Sequence, residues 1–321
     1  MGTRYALRRL IGLIPTLFGV VTLTFLLSSI VPRDISSDLA GNDATPERVA
    51  AIRHDLGLDK PLAEQYVDYM DRLFHGDLGD SITQGLPVRT VIEGRIGPTM
   101  LLTASALALS TLLGLALGTL SARRSPGVID GAVRVGSLVG VAVPGFWLGQ
   151  LAVLWLVVHM HLFPVQGYQD IRHSWSGTKH LADVARHLML PAMVLAVSEI
   201  AVLSRITRGG LLRELGSEYA RTARAKGAAE ADVVERHAMR NTMLPIVTVI
   251  GTRIGFLLAG SVVIENVFAW PGIGSVLSQA ALGKDTPMVV GIVLVVTTAV
   301  LVSHVVLDIV YCYVDPRVRN D

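Results

Sequence analysis

The chain has a single cysteine, Cys312, among 321 residues, so no intramolecular disulfide can form; the bland reading of this residue is a small packed side chain. No GxxxxGK[ST] run occurs, which excludes ATP binding through a P-loop. HExxH, CxxC and GxSxG are also missing, and no nucleophile–base pair stands out, so no residue is assigned a catalytic role. Short alternating segments of the kind that build a β-barrel are not found. No convincing repeat relates the two halves, although a self-sufficient secondary transporter built from inverted repeats would carry one. Charge is sparse, at 17% of residues, and the net charge of +2 is scattered along the chain, which gives nucleic acid no continuous basic face. His159 and His161 form an HxH near His173, His180 and His187, but the spacing is generic and no cysteine or acidic cluster accompanies it; no metal is assigned.

What the chain has in quantity is apolar sequence. Hydrophobic residues make up 51% and the mean hydropathy is +0.53. The distribution decides the class, because a hydrocarbon core needs about 20 consecutive apolar residues per crossing. Six runs qualify: Leu10–Val31, Pro98–Leu120, Val133–Val158, Leu188–Ser204, Met243–Phe268 and Met288–Tyr311. The fourth is the shortest and contains Glu199; the fifth contains Arg253 and Glu265. Backbone polar groups must be satisfied internally in lipid, so all six are expected to be helical. The expectation is an all-α polytopic membrane protein with six transmembrane helices. The first run follows Arg4, Arg8 and Arg9 but is longer than a signal-peptide core, and it is read as a retained helix.

Basic residues set the orientation. With the N-terminus inside, segments 1–9, 122–134, 205–243 and 312–321 hold sixteen Lys and Arg, whereas the short outer loops 160–187 and 268–287 hold four. Both termini are therefore expected to be cytoplasmic. The organisation follows: a first helix over 1–31, an extracytoplasmic helical loop over 32–97, a transmembrane domain over 98–314 and a tail over 315–321. In the 32–97 loop, Thr45-Pro46-Glu47-Arg48 reads as a helix start, with Val49, Ile52 and Leu56 at helical spacing and a stop at Gly57 before Lys60-Pro61. A second helix is expected from Leu62 to Phe74, with Leu62, Tyr66, Tyr69, Met70 and Leu73 on one face. Gly114, Gly118, Gly136, Gly140, Gly145 and Gly149 read as close helix packing.

The segment 205–243 is long and polar for an inner loop of so apolar a chain. It predicts two helical pieces, Leu211–Lys226 and Glu230–Asn241, separated at Gly227, where a helix end wants positive φ. Ala220, Ala223, Ala225, Ala228 and Ala229 give it a narrow profile, and Arg221, Arg224, Lys226, Arg236 and Arg240 flank it. Two readings fit: an amphipathic helix on the inner leaflet, or a slim element that enters a cleft in a partner and pairs with its carboxylates. Alanine buries little area, which weakens the lipid reading.

Charges within apolar runs cost about 2.5–3.5 kcal/mol near a helix centre. Glu265 and Asp308 lie near run ends and read as interface residues. Arg253 and Glu199 lie at comparable depths, about 15 Å and about 10 Å from the inner ends of their helices at 1.5 Å per residue. They are read either as a structural ion pair or as groups facing each other across a path through the helices.

The polar segment resembles the cytoplasmic "EAA" loop of ABC importer permeases. Glu218-Tyr219-Ala220-Arg221-Thr222-Ala223-Arg224-Ala225-Lys226-Gly227 and Arg236-His237-Ala238-Met239-Arg240-Asn241 carry the likeness. The second run is similar to the "HALRN" run of B-type subunits in dipeptide and oligopeptide permeases. Further matches are Gly57-Leu58-Asp59-Lys60-Pro61, Gly76-Asp77-Leu78-Gly79-Asp80-Ser81, Pro87-Val88, Leu203-Ser204-Arg205-Ile206-Thr207-Arg208, Val267-Phe268-Ala269-Trp270-Pro271-Gly272-Ile273-Gly274, Asp285-Thr286-Pro287-Met288-Val289-Val290-Gly291 and Asp315-Pro316-Arg317-Val318-Arg319. Pro32-Arg33-Asp34 departs from the family's Pro-Gly-Asp-Pro. The resemblance implies a MetI-like permease core over helices two to six in a bacterial inner membrane. It also implies a homologous C-type permease as partner, two ATPase subunits that grip the EAA loops and an extracytoplasmic binding protein that delivers peptide. ATP and Mg²⁺ then belong to the ATPase subunits, with no cofactor in this chain. Relatives of this kind also carry nickel, glutathione or sugars.

Overall fold

A computed structural model of the chain describes residues 12, 14–26, 36, 40, 45–55, 57, 59–173 and 175–314, with side chains to 307. The side chains of Asp308 and Cys312, Leu56 and the 315–321 tail lie outside the described residues. Among the described residues there is no β-strand, only an isolated bridge between Asp80 and Pro87. The helices are α1 Ile14–Leu26, α2 Pro46–Asp55, α3 Leu62–Phe74, α4 Val88–Arg123, α5 Val128–Ala142, α6 Gly145–Ala152 continuing as a π-helical turn Val153–His159, α7 Thr178–Leu215, α8 Glu218–Ala225, α9 Glu230–Val267, α10 Ile273–Leu282 and α11 Thr286–Val314.

Among the described residues four helices are long and apolar enough to cross a membrane: α4, α7, α9 and α11 over its Thr286–Leu307 part. One expectation changes here. The third apolar run is not one straight span, because α5 and α6 meet at a 104° bend. Pro144 is the cause: it caps α6 from extended backbone, and the residue before a proline is steered away from the helical region, as Val143 is with ψ 124°. Counting the bent pair as one gives five spans. The first run is described only as the short helix α1, and the rest of Leu10–Val31 lies outside the described residues. The fourth run, shortest as an apolar stretch, is the middle of a 38-residue helix, α7, which continues through Pro191.

The chain divides into two compact units, Met1–Ile96 with Val276–Leu301, and Gly97–Ser275 with Val302–Asp321. In the first, α2 begins and ends where expected. Pro46 opens it, the Thr45 carbonyl accepts from Arg48 and Val49, and Gly57 follows its end with φ +66°. The half-buried face of α3 is made by Tyr66, Tyr69, Met70 and Leu73, while Leu62 is exposed. Phe25 of α1 stacks on Tyr69 at 5.5 Å and meets Tyr66 edge-on at 5.2 Å. Beyond α3 the chain turns back on itself: Ser81 N–H reaches Leu86 O at 2.8 Å and Val88 N–H reaches Gly79 O at 3.0 Å. That turn is latched to the start of α11 by Asp285. Its Oδ2 accepts from Ser81 Oγ at 2.5 Å, Thr83 Oγ1 at 2.8 Å and Thr83 N–H at 3.0 Å, while Oδ1 caps α11 through Met288 N–H at 3.2 Å.

In the second unit α7 is the central element. In its most apolar stretch 61% of residues are buried, against 28% or less in the other spans, so the neighbouring helices pack on α7. Glycine permits the closest approaches. A Cβ on Gly114 would sit 2.6 Å from Leu203 Cβ, and one on Gly118 would sit 2.6 Å from Ser204 O. Gly140 of α5 meets Ala201 in the same way, and Gly149 of α6 meets Val267 and Phe268. Gly136 and Gly145 do not share this role: a Cβ on Gly136 would meet nothing within 4 Å, and one on Gly145 only Ile264 at 4.0 Å. A buried carboxylate completes the core. Asp130, at the start of α5, accepts Arg208 of α7 through both oxygens, at 2.5 and 2.8 Å, together with Ser121 Oγ at 2.6 Å and Ser125 Oγ at 3.1 Å.

Gly118→Leu should overpack the α4–α7 contact by about 1–3 kcal/mol, read as loss of monodisperse protein on size exclusion after detergent extraction, whereas Gly136→Leu should be tolerated. The Asp285 latch has a pH signature. Burial pushes its carboxyl up, but the Ser81 and Thr83 hydrogen bonds more than offset this and hold it below the ordinary 3.8. A depressed carboxylate contributes stability above the unfolded value and loses it as pH falls through the folded one. Protease nicking at the 77–85 turn should therefore be flat from about pH 8 to about pH 5 and rise below about pH 4, and Asp285→Ala should show high nicking at every pH.

Candidate functional site

The polar segment folds into a short shelf built on the end of α7. Its first helical piece is not continuous over 211–226 as the sequence suggests. α7 stops at Leu215, Gly216 and Ser217 turn the chain, and α8 starts at Glu218. Ser217 Oγ donates to Glu214 O at 2.6 Å and stabilises the break. The far end of α8 closes as expected at Gly227, with φ +84°. Gly227 N–H reaches Arg224 O at 2.9 Å and Ala228 N–H reaches Ala223 O at 3.1 Å, the paired bonds of a Schellman motif. The same device closes α3, where Gly76 has φ +77° and Asp77 N–H reaches Arg72 O at 2.9 Å.

The alanines do not all face outward. Ala220 is fully buried and Ala223 half-buried, so they seat α8 on the fold; Ala225, Lys226 and Gly227 are exposed at its tip. Beneath lies a small core of Ala122, Leu211, Val234 and Ala238. Val233–Ala238 of α9 is π-helical, and it contributes both Val234 and Ala238 to that core. Arg224 pins the shelf from the side. It donates to Leu215 O at 2.9 Å and grips Glu230 with Nε and Nη2 at 2.9 and 2.8 Å. Tyr219 donates to Glu214 at 2.7 Å with the Asn241 amide alongside, and burial with the Glu214 carboxylate raises its phenol above the ordinary 10.0.

The charges are arranged differently from the free basic flank that the sequence suggests. Arg221 pairs with Glu218 at 2.9 Å, Arg236 with Asp232 at 3.2 Å, and Arg123 of α4 with Glu235 at 2.6 Å. Among the described residues Lys226, His237 and Arg240 make no ion pair, and all three are exposed. These are the basic groups of the shelf open to a partner.

A second site lies within the helices. Arg253 of α9 approaches Glu199 of α7, Nε to Oε2, at 3.5 Å. Glu199 is buried, and among the described residues its Oε2 accepts no hydrogen bond. The contact joins two charges without hydrogen-bond geometry. Glu265, expected at the membrane edge, is instead wholly buried. Thr99 Oγ1 donates to its Oε1 at 2.7 Å and Ser275 N–H to its Oε2 at 2.9 Å, which places the carboxylate at the head of α10. Gly272 and Gly274 lack side chains because Glu265 fills that space. Gly272 and Gly274 lie only a few residues beyond Glu265, whereas Thr99 reaches it from another helix.

The helical arrangement is that of an all-α polytopic membrane protein. A chain of the MetNI methionine ABC transporter, solved in inward-facing conformations, superimposes with a TM-score of 0.54 at 16% identity, covering 71% of this chain and 97% of that one, which speaks to the fold. Residues 114–320 match the family of binding-protein-dependent transport system inner membrane components, and residues 2–87 match its N-terminal region. The dipeptide transport system permease protein DppB of Escherichia coli K12 is 37% identical over 99% of both chains. A putative peptide transport system permease protein of Brucella melitensis is 39% identical over 100% of both. The di/tripeptide transport system permease protein DppB of Pseudomonas aeruginosa is 38% identical over 98% of both. The chain belongs to the family of binding-protein-dependent transport system inner membrane components, and it is a multi-pass protein of the bacterial inner membrane.

Arg224→Ala removes three bonds that hold the shelf. With both side chains of the Arg224–Glu230 pair substantially exposed, the cost should be about 0.5–1.5 kcal/mol. Amide exchange over Glu218–Ala228 should accelerate correspondingly, while exchange in α7 above Arg208 stays unchanged.

Proposed function

We propose that this chain is the B-type permease subunit of an ATP-driven importer of dipeptides and oligopeptides. It forms half of the translocation route beside a homologous C-type permease. Two ATPase subunits grip the 218–241 shelves of the two permeases, and an extracytoplasmic binding protein delivers the solute. ATP and Mg²⁺ reside in the ATPase subunits, and this chain carries no catalytic step. The excess of Lys and Arg in 1–9, 122–134, 205–243 and 312–321 supports a cytoplasmic position for the shelf and both termini. The names of the full-length relatives support peptide as cargo.

The observation that carries this reading is the construction of the shelf. A lipid-anchoring helix would turn a broad apolar face outward. α8 instead turns Ala220 into the protein and half-buries Ala223, while Glu218, Arg221 and the small Ala225, with Lys226 and Gly227 just beyond its end, face outside. It is also stiff: Ser217 and Gly227 close its ends, Arg224 clamps its side, and α7 rises directly from it. A rigid, polar, protruding turn can transmit displacement to α7 with little loss in its own bending. In the same assembly Glu199 of α7 and Arg253 of α9, in contact at 3.5 Å, lie beside the translocation route.

Gly227→Val forces a branched residue to φ +84° at a cost of about 1–2 kcal/mol, and Ala220→Arg unseats α8. Both variants should insert in the membrane, yet retain less than about one-fifth of the co-purifying ATPase, a loss of about 1 kcal/mol in association. Full retention of the ATPase by Ala220→Arg would refute the gripping role. Uptake of nickel or glutathione without uptake of labelled dipeptide would move the cargo to another class.

A further inference from the structure

We infer that Arg253 reads the terminal carboxylate of a peptide in transit, and that Glu199 is the resident counter-ion it exchanges for that carboxylate; the inference rests on the peptide reading above. Arginine presents a planar fork of N–H donors that matches a carboxylate through two parallel bonds. Among the described residues the Arg253 guanidinium makes no hydrogen bond: it meets Glu199 at 3.5 Å outside hydrogen-bond geometry and lies 5.0 Å from the Phe256 ring. Its donors are thus unspent. Its side chain keeps 29% of its surface, against 7% for Glu199, so the cation is approachable and its partner is not.

Arg253 lies half-buried beside an open face of its helix. The exposed stripe of α9 runs through Pro245, Thr248, Thr252, Phe256, Ala259 and Val263. The exposed face of α4 differs: Met100, Leu101, Leu112, Leu113 and Leu117 suit hydrocarbon. A guanidinium that keeps 29% of its surface open within an apolar helix is costly against lipid and suits water.

The geometry also supplies release. A site that held its solute with a fully paired arginine would trap it, whereas conduction needs weak, reversible binding. When Arg253 swings to an incoming carboxylate, Glu199 is left buried with no donor on Oε2. An unpaired buried charge is costly, so Glu199 draws the guanidinium back once the solute moves on. No bond forms or breaks covalently in this exchange. The selectivity follows directly: a free C-terminal carboxylate is recognised, a C-terminal amide is not, and the N-terminus is ignored.

The test uses the complete complex, with its C-type permease, ATPase subunits and binding protein, reconstituted in vesicles and fed labelled dialanine or its C-terminal amide. The binding protein is the same in every arm, so its own preference cancels between wild type and variant. Wild type should import the free acid at least about tenfold better in kcat/KM than an Arg253→Gln complex does, a gap of about 1.4 kcal/mol, while amide import stays within about twofold. Arg253→Lys should recover part of the preference. The double variant Glu199→Gln/Arg253→Gln removes the pair without leaving a lone buried charge, and it should behave like Arg253→Gln in an assembled complex. An unchanged acid-to-amide ratio in either variant overturns the inference, as does an equal loss for both solutes. Failure of both variants to assemble also overturns it, since the pair is then structural. If wild type imports neither dipeptide, the peptide reading falls, and this inference with it.

Discussion

One carboxylate holds the permease half of this chain in register. Asp130 is 3% exposed and receives Arg208 through both oxygens, with Ser121 and Ser125 filling the remaining acceptor positions. Three helices meet at that point: the end of α4, the start of α5 and the lower part of α7. Breaking a buried pair by removing one partner leaves an uncompensated charge, a loss of about 3–5 kcal/mol. The bidentate fork also fixes direction, because Arg208 can satisfy both oxygens only when α7 has one rotation relative to α5. The glycine contacts above it, Gly118 on Ser204 and Gly140 on Ala201, need that same rotation. Packing and clamp therefore agree on a single arrangement.

The clamp lies close to the shelf. Arg208 sits two turns of helix above Leu215, where α7 ends and the chain turns into α8. The clamp therefore ties the end of α7 nearest the shelf to α4 and α5. Glu265 does comparable work higher in α9. By accepting Thr99 and Ser275 it joins α4, α9 and the head of α10 without a second charge, using hydroxyl and backbone donors alone. A neutral donor set suits a carboxylate with no water around it better than a distant cation would.

Much of this architecture is written in local pattern. The extents of α2 and α3 follow from Pro46, Gly57, Pro61 and Gly76, because capping and backbone sterics act over three or four residues. Gly227 is legible for the same reason. The pairing of Glu199 with Arg253 is foreshadowed by matched depth in two apolar runs. What the sequence conceals are contacts whose partners lie far apart along the chain. Nothing near Asp130 announces Arg208, and the burial of Glu265 depends on Thr99, more than one hundred and fifty residues away. The 104° bend is half legible: Pro144 marks a break, but hydropathy runs smoothly through it and hides the change of direction. The break at Gly216 was concealed by good helix formers on both sides.

The self-pairing of the shelf's arginines has a consequence for how it is recognised. Arg221, Arg224 and Arg236 each carry a carboxylate within their own segment, which among the described residues leaves Lys226 and Arg240 as the unpaired cations of the shelf. Charge already paired within one segment adds little long-range attraction for another surface, so salt has little to screen at those three positions.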